Sequence, residues 1–379
     1  EMLHRYNGKK LSKEKTGMNY LEKRNQKIID AIIEKANLVC PGSLALIGIN
    51  GSFMTGDYHQ KSDLDLLILI NDDRGWQLGS TFIQDDLQVG HDIYCTSWEG
   101  LQNDARYEHP NISKLMDAKI VYCADEKYKR ELERLRKQVK DKLSMPFDKE
   151  DYDKAENMLK EAEHCYTMAM LSENKSEVLD WTGGVIYYIE NAIAMLNKKY
   201  FRYGVKRTYE ELSAMKTKPE RLCELIDNTI LAESVKAVKE HVSVLIKETI
   251  AVFNDMKKTI TPQKKSATKE ELTGTYEEMY SNWRNKMYLA AETGNAHLAF
   301  MSIFSANHMF SEIYESVDIA KYDAFIGYNP QDLKQTAKSY SEIMEEYLKE
   351  YRKAGIQEKR YCDIDKFVVE YQKKADKNK

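Results

Sequence analysis

Apolar residues recur at helical spacing over 18–38, where Leu21, Ile28, Ile29, Ile32 and Ile33 fall on one side, and Pro41-Gly42 end the pattern. The period then changes. Leu44-Ala45-Leu46-Ile47-Gly48-Ile49 is a short unbroken apolar run of strand length. A second and richer run, Leu64 to Ile70, stops at Asn71-Asp72-Asp73. Leu87 to Cys95 and Lys119 to Cys123 are further strand candidates, and 126–143 reads as helix. Strands interleaved with helices over 1–145 predict a small α/β or α+β domain.

From about residue 150 the alternation disappears, and 152–171, 177–200, 220–256, 268–291, 295–317, 331–352 and 363–375 all read as helix. The expected fold class is therefore α+β, a sheet-bearing N-terminal domain followed by an all-α helical-bundle region. The polar stretch 258–268 contains Pro262, and Thr268 with Glu271 gives a capping-box signal just beyond it, so this stretch reads as a linker. The domains expected are 1–145, a helical bundle over 146–260 and a second helical unit over 268–379. Gly183-Gly184 inside a helix predict close helix packing, because glycine there costs about 1 kcal/mol relative to alanine. The final Lys373–Lys379 reads as a solvated tail.

Composition narrows the class. The chain has 379 residues, 42% hydrophobic and 31% charged, a balance that excludes a disordered chain and predicts more than one core. No apolar run approaches the roughly 18 to 20 residues that span a bilayer, so no membrane partner is expected. Glu1-Met2-Leu3-His4-Arg5 carries no signal-peptide core, and the leading Glu reads as a trimmed chain. A net charge of −4 argues against a dedicated nucleic-acid binder. Six widely spaced cysteines without Cys-x-x-Cys argue against a zinc site or a disulfide framework and for the reducing cytoplasm.

The chemistry concentrates between Gly51 and Leu66. Asp63 and Asp65 are two apart, so in a strand both carboxylates share one face while Leu64 and Leu66 share the other. Two acids side by side on an apolar strand repel one another and resist desolvation, and a divalent cation relieves both problems. Asp92 lies on the next strand candidate and completes a three-carboxylate cluster if that strand pairs beside 64–70. Three such carboxylates can hold two Mg²⁺, one activating an attacking hydroxyl and the other neutralising a triphosphate. Gly51 admits phosphate close to the backbone, Ser52 offers its N–H and hydroxyl, and Gly56 lets the loop turn.

Gly51-Ser52, a ten-residue gap, Asp63-Leu64-Asp65 and the later Asp92 resemble the nucleotidyltransferase superfamily typified by DNA polymerase β. Gly51-Ser52, Gly56 and Ser62-Asp63-Leu64-Asp65 look most like its small bacterial branch, which includes kanamycin and streptomycin nucleotidyltransferases. The resemblance covers the first third of the chain. It implies a mixed β-sheet with flanking helices, Mg²⁺ and a donor NTP such as ATP. It also implies Gly51, Ser52 and Ser62 near the triphosphate, Asp63, Asp65 and Asp92 on metal, and an acceptor-binding helical domain. One departure stands out: many members carry a basic residue where this chain has Thr55, so the triphosphate needs another cation, for which Lys61 is a candidate.

The expected activity is transfer of AMP, or another NMP, onto an acceptor hydroxyl with release of pyrophosphate. The expected acceptor is a small aminoglycoside-like molecule, and oligomeric state stays open. The alternatives are a catalytically silent nucleotide-binding protein and transfer to a protein or an RNA end. Other residues read as structural: His91, on the face opposite Asp92, as a packed or surface histidine, Glu161 and Glu163 as surface acids, and the aromatics at helical spacing (Tyr276, Tyr280, Trp283, Tyr288, Phe300, Phe304, Phe310 and Tyr314) as core. His297 and His308 lack the nearby acids that a metal site needs.

Overall fold

The computed structural model describes residues 2–260 and 265–375. The chain forms two compact units, Glu1–Thr261 and Pro262–Lys379. Part of the expected linker, 261–264, and the last four residues of the expected tail, 376–379, lie outside the described residues.

The first unit begins with helix α1 (Met2–Val39), which packs Ile29, Ile32 and Ala36 on one face of the sheet. Gly42, at φ +83°, then makes the turn that a side chain would resist. Strand β1 (Leu44–Ile49) follows, then the short helix α2 (Ser52–Thr55), β2 (Leu66–Ile70), β3 (Ser80–Gln84), β4 (Val89–Ile93) and β5 (Cys95–Ser97). Helices α3 (Trp98–Ala105) and α4 (Ser113–Asp117) precede β6 (Lys119–Cys123) and α5 (Glu126–Ser144).

The main sheet has the order β5-β2-β1-β6 and is mixed, since β2 runs parallel to β5 while β1 is antiparallel to both its neighbours. The single apolar run expected over 87–95 is in fact broken. Its first part, β4, pairs with β3 in a separate two-stranded ribbon, and the strand that lies beside β2 is β5. β3 gave no apolar signal because four of its five residues are exposed.

A bundle of α6 (Lys149–Leu171), α7 (Lys175–Leu196), α8 (Thr208–Ala214), α9 (Leu222–Ile230) and α10 (Val235–Ile260) completes the unit. Its core is continuous with the other face of the sheet: Leu46, Leu67 and Leu69 share one apolar cluster with Ala155, Ile189, Val242 and Phe253. The boundary expected at 145/146 thus falls inside one compact unit. Helices α6 and α7 approach closely at Gly184, where a β-carbon would sit 2.8 Å from Cys165 Sγ.

The second unit contains α11 (Lys269–Leu272), α12 (Thr275–Met279), a π-helical turn over 280–284, α13 (Asn285–Thr293), α14 (Ala296–Ser316), α15 (Leu333–Lys353) and α16 (Ile364–Ala375). Its core is built on Phe310, Tyr276, Tyr340, Tyr347 and Tyr351; of the aromatics expected there, Tyr276 and Phe310 are buried, whereas Tyr288, Phe300 and Phe304 are exposed. The continuous helix expected over 268–291 is interrupted at Gly274, which adopts φ +92°. Among the described residues, no helix is long and apolar enough to cross a membrane.

Candidate functional site

The apolar half of the alternation builds the site. Leu64 and Leu66 are both buried in the cluster beneath α1, and Asp63 and Asp65 remain half-buried on the opposite side of the backbone. The ladder of β2 begins at Leu66, but the Asn50 N–H donates to the Asp65 carbonyl at 2.9 Å, so the extended course continues upstream. Each buried leucine contributes about 1.5–3 kcal/mol, which opposes the repulsion between the two acids. That repulsion is visible: burial first, and Asp63 second, push the Asp65 carboxyl above the usual carboxylate range. Lys114, the Ser52 N–H and Lys206 act in the other direction.

The turn from β1 brings Gly51 directly against Asp65. Gly51 has φ +65°, and a β-carbon there would lie 1.9 Å from Asp65 Oδ2. Helix α2 is a single turn, closed by Gly56 at φ +80°, whose N–H donates to the Ser52 carbonyl. Ser62 is buried. Its hydroxyl accepts the His59 N–H at 2.9 Å, and its carbonyl accepts Arg24 Nη2 at 2.9 Å. The described structure therefore gives Ser62 a place in the turn that presents Asp63. Arg24, buried on α1 and also fixed to Asn25, is the residue that pins this turn. Lys61 is exposed, and no ion pair forms on it among the described residues.

Asp92 is exposed on β4, opposite Thr81 in the ribbon. The register of β5 on β2 pairs Ile68 with Cys95, Leu69 with Thr96 and Ile70 with Ser97, a constant offset of 27 positions. The same offset carried back along the chain sets Asp92 level with Asp65. Alternation agrees, because Cys95 and Ile68 both point into the cluster beneath α1, leaving Asp92 on the face of Asp65. The ladder itself ends at Cys95, where β4 leaves to pair with β3. Among the described residues, no three His, Cys, Asp or Glu side chains are gathered as a metal-holding group. Asp63 and Asp65 are thus together, and Asp92 is a register neighbour that does not close on them.

His91 is buried, stacked on Phe82 at 4.8 Å between ring centroids, and burial lowers its pKa. It packs, as expected of that face.

Sequence reasoning missed the cations. Lys206 acts on both Asp57 and Asp65, and Arg207 pairs with Asp57, Nη1 to Oδ2, at 3.5 Å. Both follow Gly204, at φ +68°, in a 3₁₀ turn leading into α8. The only cue in the sequence is a glycine turn followed by Lys-Arg, far too common to single out. Asp57 is held ionised by Thr55, Arg207 and Lys206. Lys114, on α4, approaches both the Tyr94 ring and Asp65, and with Tyr94, Thr96 and Asp104 it lines a cavity of about 220 Å³ at the upstream end of β2. Glu161 is exposed and Glu163 half-buried; the bundle acid that stands out is Glu190, raised to about 7 by burial.

Residues 26–162 match the nucleotidyltransferase domain family. The N-terminal part is accordingly a nucleotidyltransferase domain with a mixed sheet and helices, followed by a largely helical C-terminal region. A solved nucleotidyltransferase-like protein from Exiguobacterium sibiricum 255-15 is similar at 9% identity, over 68% of this chain and 89% of that one. The TM-score between the two is 0.30. No curated protein matches the sequence.

Proposed function

We propose that the N-terminal domain moves an NMP, AMP from ATP, onto the hydroxyl of a small acceptor and releases pyrophosphate. The observation that carries this is the Asp63–Asp65 pair, two carboxylates held together at the foot of the Gly51–Ser52 turn with Asp65 pushed toward its neutral form by burial and by its neighbour. Such a pair fits a hard divalent cation, whose charge relieves what the fold imposes and whose preferred ligands are carboxylate oxygens. Bound there, two Mg²⁺ would supply charge neutralisation at the reacting phosphate and acidify the acceptor hydroxyl.

The chain's own residues do the positioning. Asp63 and Asp65 would hold the ions, and Asp92, once drawn in from its register position beside Asp65, would complete the set and take the proton from the acceptor hydroxyl. Gly51 leaves room beside the carboxylate, Ser52 meets the triphosphate, and Ser62 keeps the turn in place. The acceptor oxygen forms a bond to the α-phosphorus as the bond to the bridging oxygen breaks, so the electron pair leaves with pyrophosphate. The branch resemblance suggests an aminoglycoside-like acceptor. Lys114, Lys206 and Arg207 beside the acids favour a small hydroxylated acceptor that need not be a polycation.

Incubation with mixed NTPs, Mg²⁺ and a panel of hydroxylated small molecules, read by mass spectrometry, tests the reading. A product heavier than its acceptor by one NMP is expected, and it disappears in Asp63→Asn. The end of the ladder short of Asp92 favours a second reading, a catalytically silent NTP-binding protein. Tight ATP binding with no pyrophosphate release across the panel would select it.

A further inference from the structure

Thr55 leaves the Gly51–Gly56 turn without a cation, yet a nucleoside triphosphate brings about four negative charges to it, and such charge is normally met by Arg or Lys. Lys114 acts on Asp65 from the sheet side, and the cations that reach Asp57, next to the loop's second glycine, are Lys206 and Arg207 from the bundle. Arg207 is pre-formed for an anion. Its guanidinium lies over the Tyr203 ring at 3.8 Å, and Nε and Nη2 donate side by side to Glu210 Oε2 and Oε1, which fixes the plane and leaves Nη1 outermost. Its remaining reach goes to Asp57, one residue past the loop's second glycine. That contact is loose: at 3.5 Å it is an ion pair without a hydrogen bond, and Asp57 Oδ2 is buried with no hydrogen-bond partner. Lys206 is exposed, forms no ion pair among the described residues, and acts on both Asp57 and Asp65.

We propose that Lys206 and Arg207 are the triphosphate clamp of this site, replacing the cation absent at position 55. Arg207 exchanges its open contact with Asp57 for phosphate oxygens when the nucleotide enters. The clamp rests on the nucleotidyltransferase reading above. It recognises the polyphosphate and leaves the base to other residues. It also ties the bundle to the sheet through the bound nucleotide.

Isothermal titration of the full chain with ATP, ADP and AMP in the presence of Mg²⁺ tests it. The wild-type chain binds in the order ATP, ADP, AMP. Lys206→Ala, whose side chain is exposed and unpaired, and Arg207→Ala each weaken ATP binding by about tenfold, the loss of one charge-assisted contact. AMP binding in the same variants stays unchanged, and Arg207→Lys recovers part of the ATP affinity. Unchanged ATP affinity in both alanine variants overturns the clamp, as does an equal loss for ATP and AMP, which marks a purely structural role. Failure of the wild-type chain to bind ATP at all overturns the nucleotidyltransferase reading itself.

Discussion

The acid pair of the first unit and the tyrosine cluster of the second both hold polar groups away from bulk water, but they partner them differently. In the second unit, the hydroxyl of Tyr340 donates to the Met279 carbonyl, and that of Tyr347 meets Thr275 Oγ1 at 2.5 Å. The Tyr351 hydroxyl donates to Glu277 Oε2 at 2.6 Å and accepts the Gly274 N–H at 2.7 Å. Burial pushes Tyr347 and Tyr351 up to about 12, so both stay neutral donors at ordinary pH. Each buried hydroxyl is satisfied, and the cluster is a stability device. In the first unit, Asp63 and Asp65 face one another as like charges, and folding alone gains nothing from it. Like charges that nearby cations only partly offset are what a functional site tolerates; fully satisfied polarity is what a core needs.

Breaking each side of that contrast gives different readouts. The largest effect is Asp65→Asn, which lowers NMP transfer by about a thousandfold or more, since it removes an anchor of the charge at the reacting phosphate. The same change stabilises the metal-free fold. With its folded pKa raised, Asp65 costs stability as pH rises from the usual carboxylate range through the raised value, and asparagine removes that cost. Thermal melts across that window show the variant gaining on the wild type as pH rises; a variant that melts lower would break the comparison.

On the other side, Phe310→Ala opens a cavity in the second core and costs about 3–5 kcal/mol, read as a fall in the denaturant midpoint of that unit. Tyr351→Phe costs less, about 1–3 kcal/mol, by leaving the Glu277 carboxylate and the Gly274 N–H short of a partner. The smallest effect sharpens the contrast inside the first unit. Glu190 is raised to about 7 by burial, so its stabilising protonated form is lost as pH climbs from the usual carboxylate range through about 7. Glu190→Gln then melts a few degrees higher than wild type at pH 8, and the gap closes at pH 4.

The legible parts of the sequence are those where one local signal dominates. β1 and β6 have the bounds read from their apolar runs, and the Asp-Leu-Asp alternation sets the leucines inward as expected. The spacing predicts one helix over 220–256, and Leu231-Ala232-Glu233-Ser234 holds neither Gly nor Pro to mark a stop, yet the chain breaks there into α9 and α10. β3 was illegible because four of its five residues are exposed and no buried face writes a period, whereas β4, with Val89 and His91 buried, lies within the strand candidate Leu87 to Cys95. The family resemblance implies Ser62 near the triphosphate, and no local pattern shows that its hydroxyl accepts the His59 N–H. Arg207 and Asp57 are 150 positions apart, and no local pattern announces a meeting at that separation. What the sequence lacked was tertiary proximity, the information that gathers cations around an acid pair.

Gly51 carries no reactive atom, yet its missing side chain is the space that the Asp65 carboxylate fills. Any drift at position 51 therefore arrives as a lesion at position 65, and the two form one heritable unit. Selection acting on the acid polices the glycine as well.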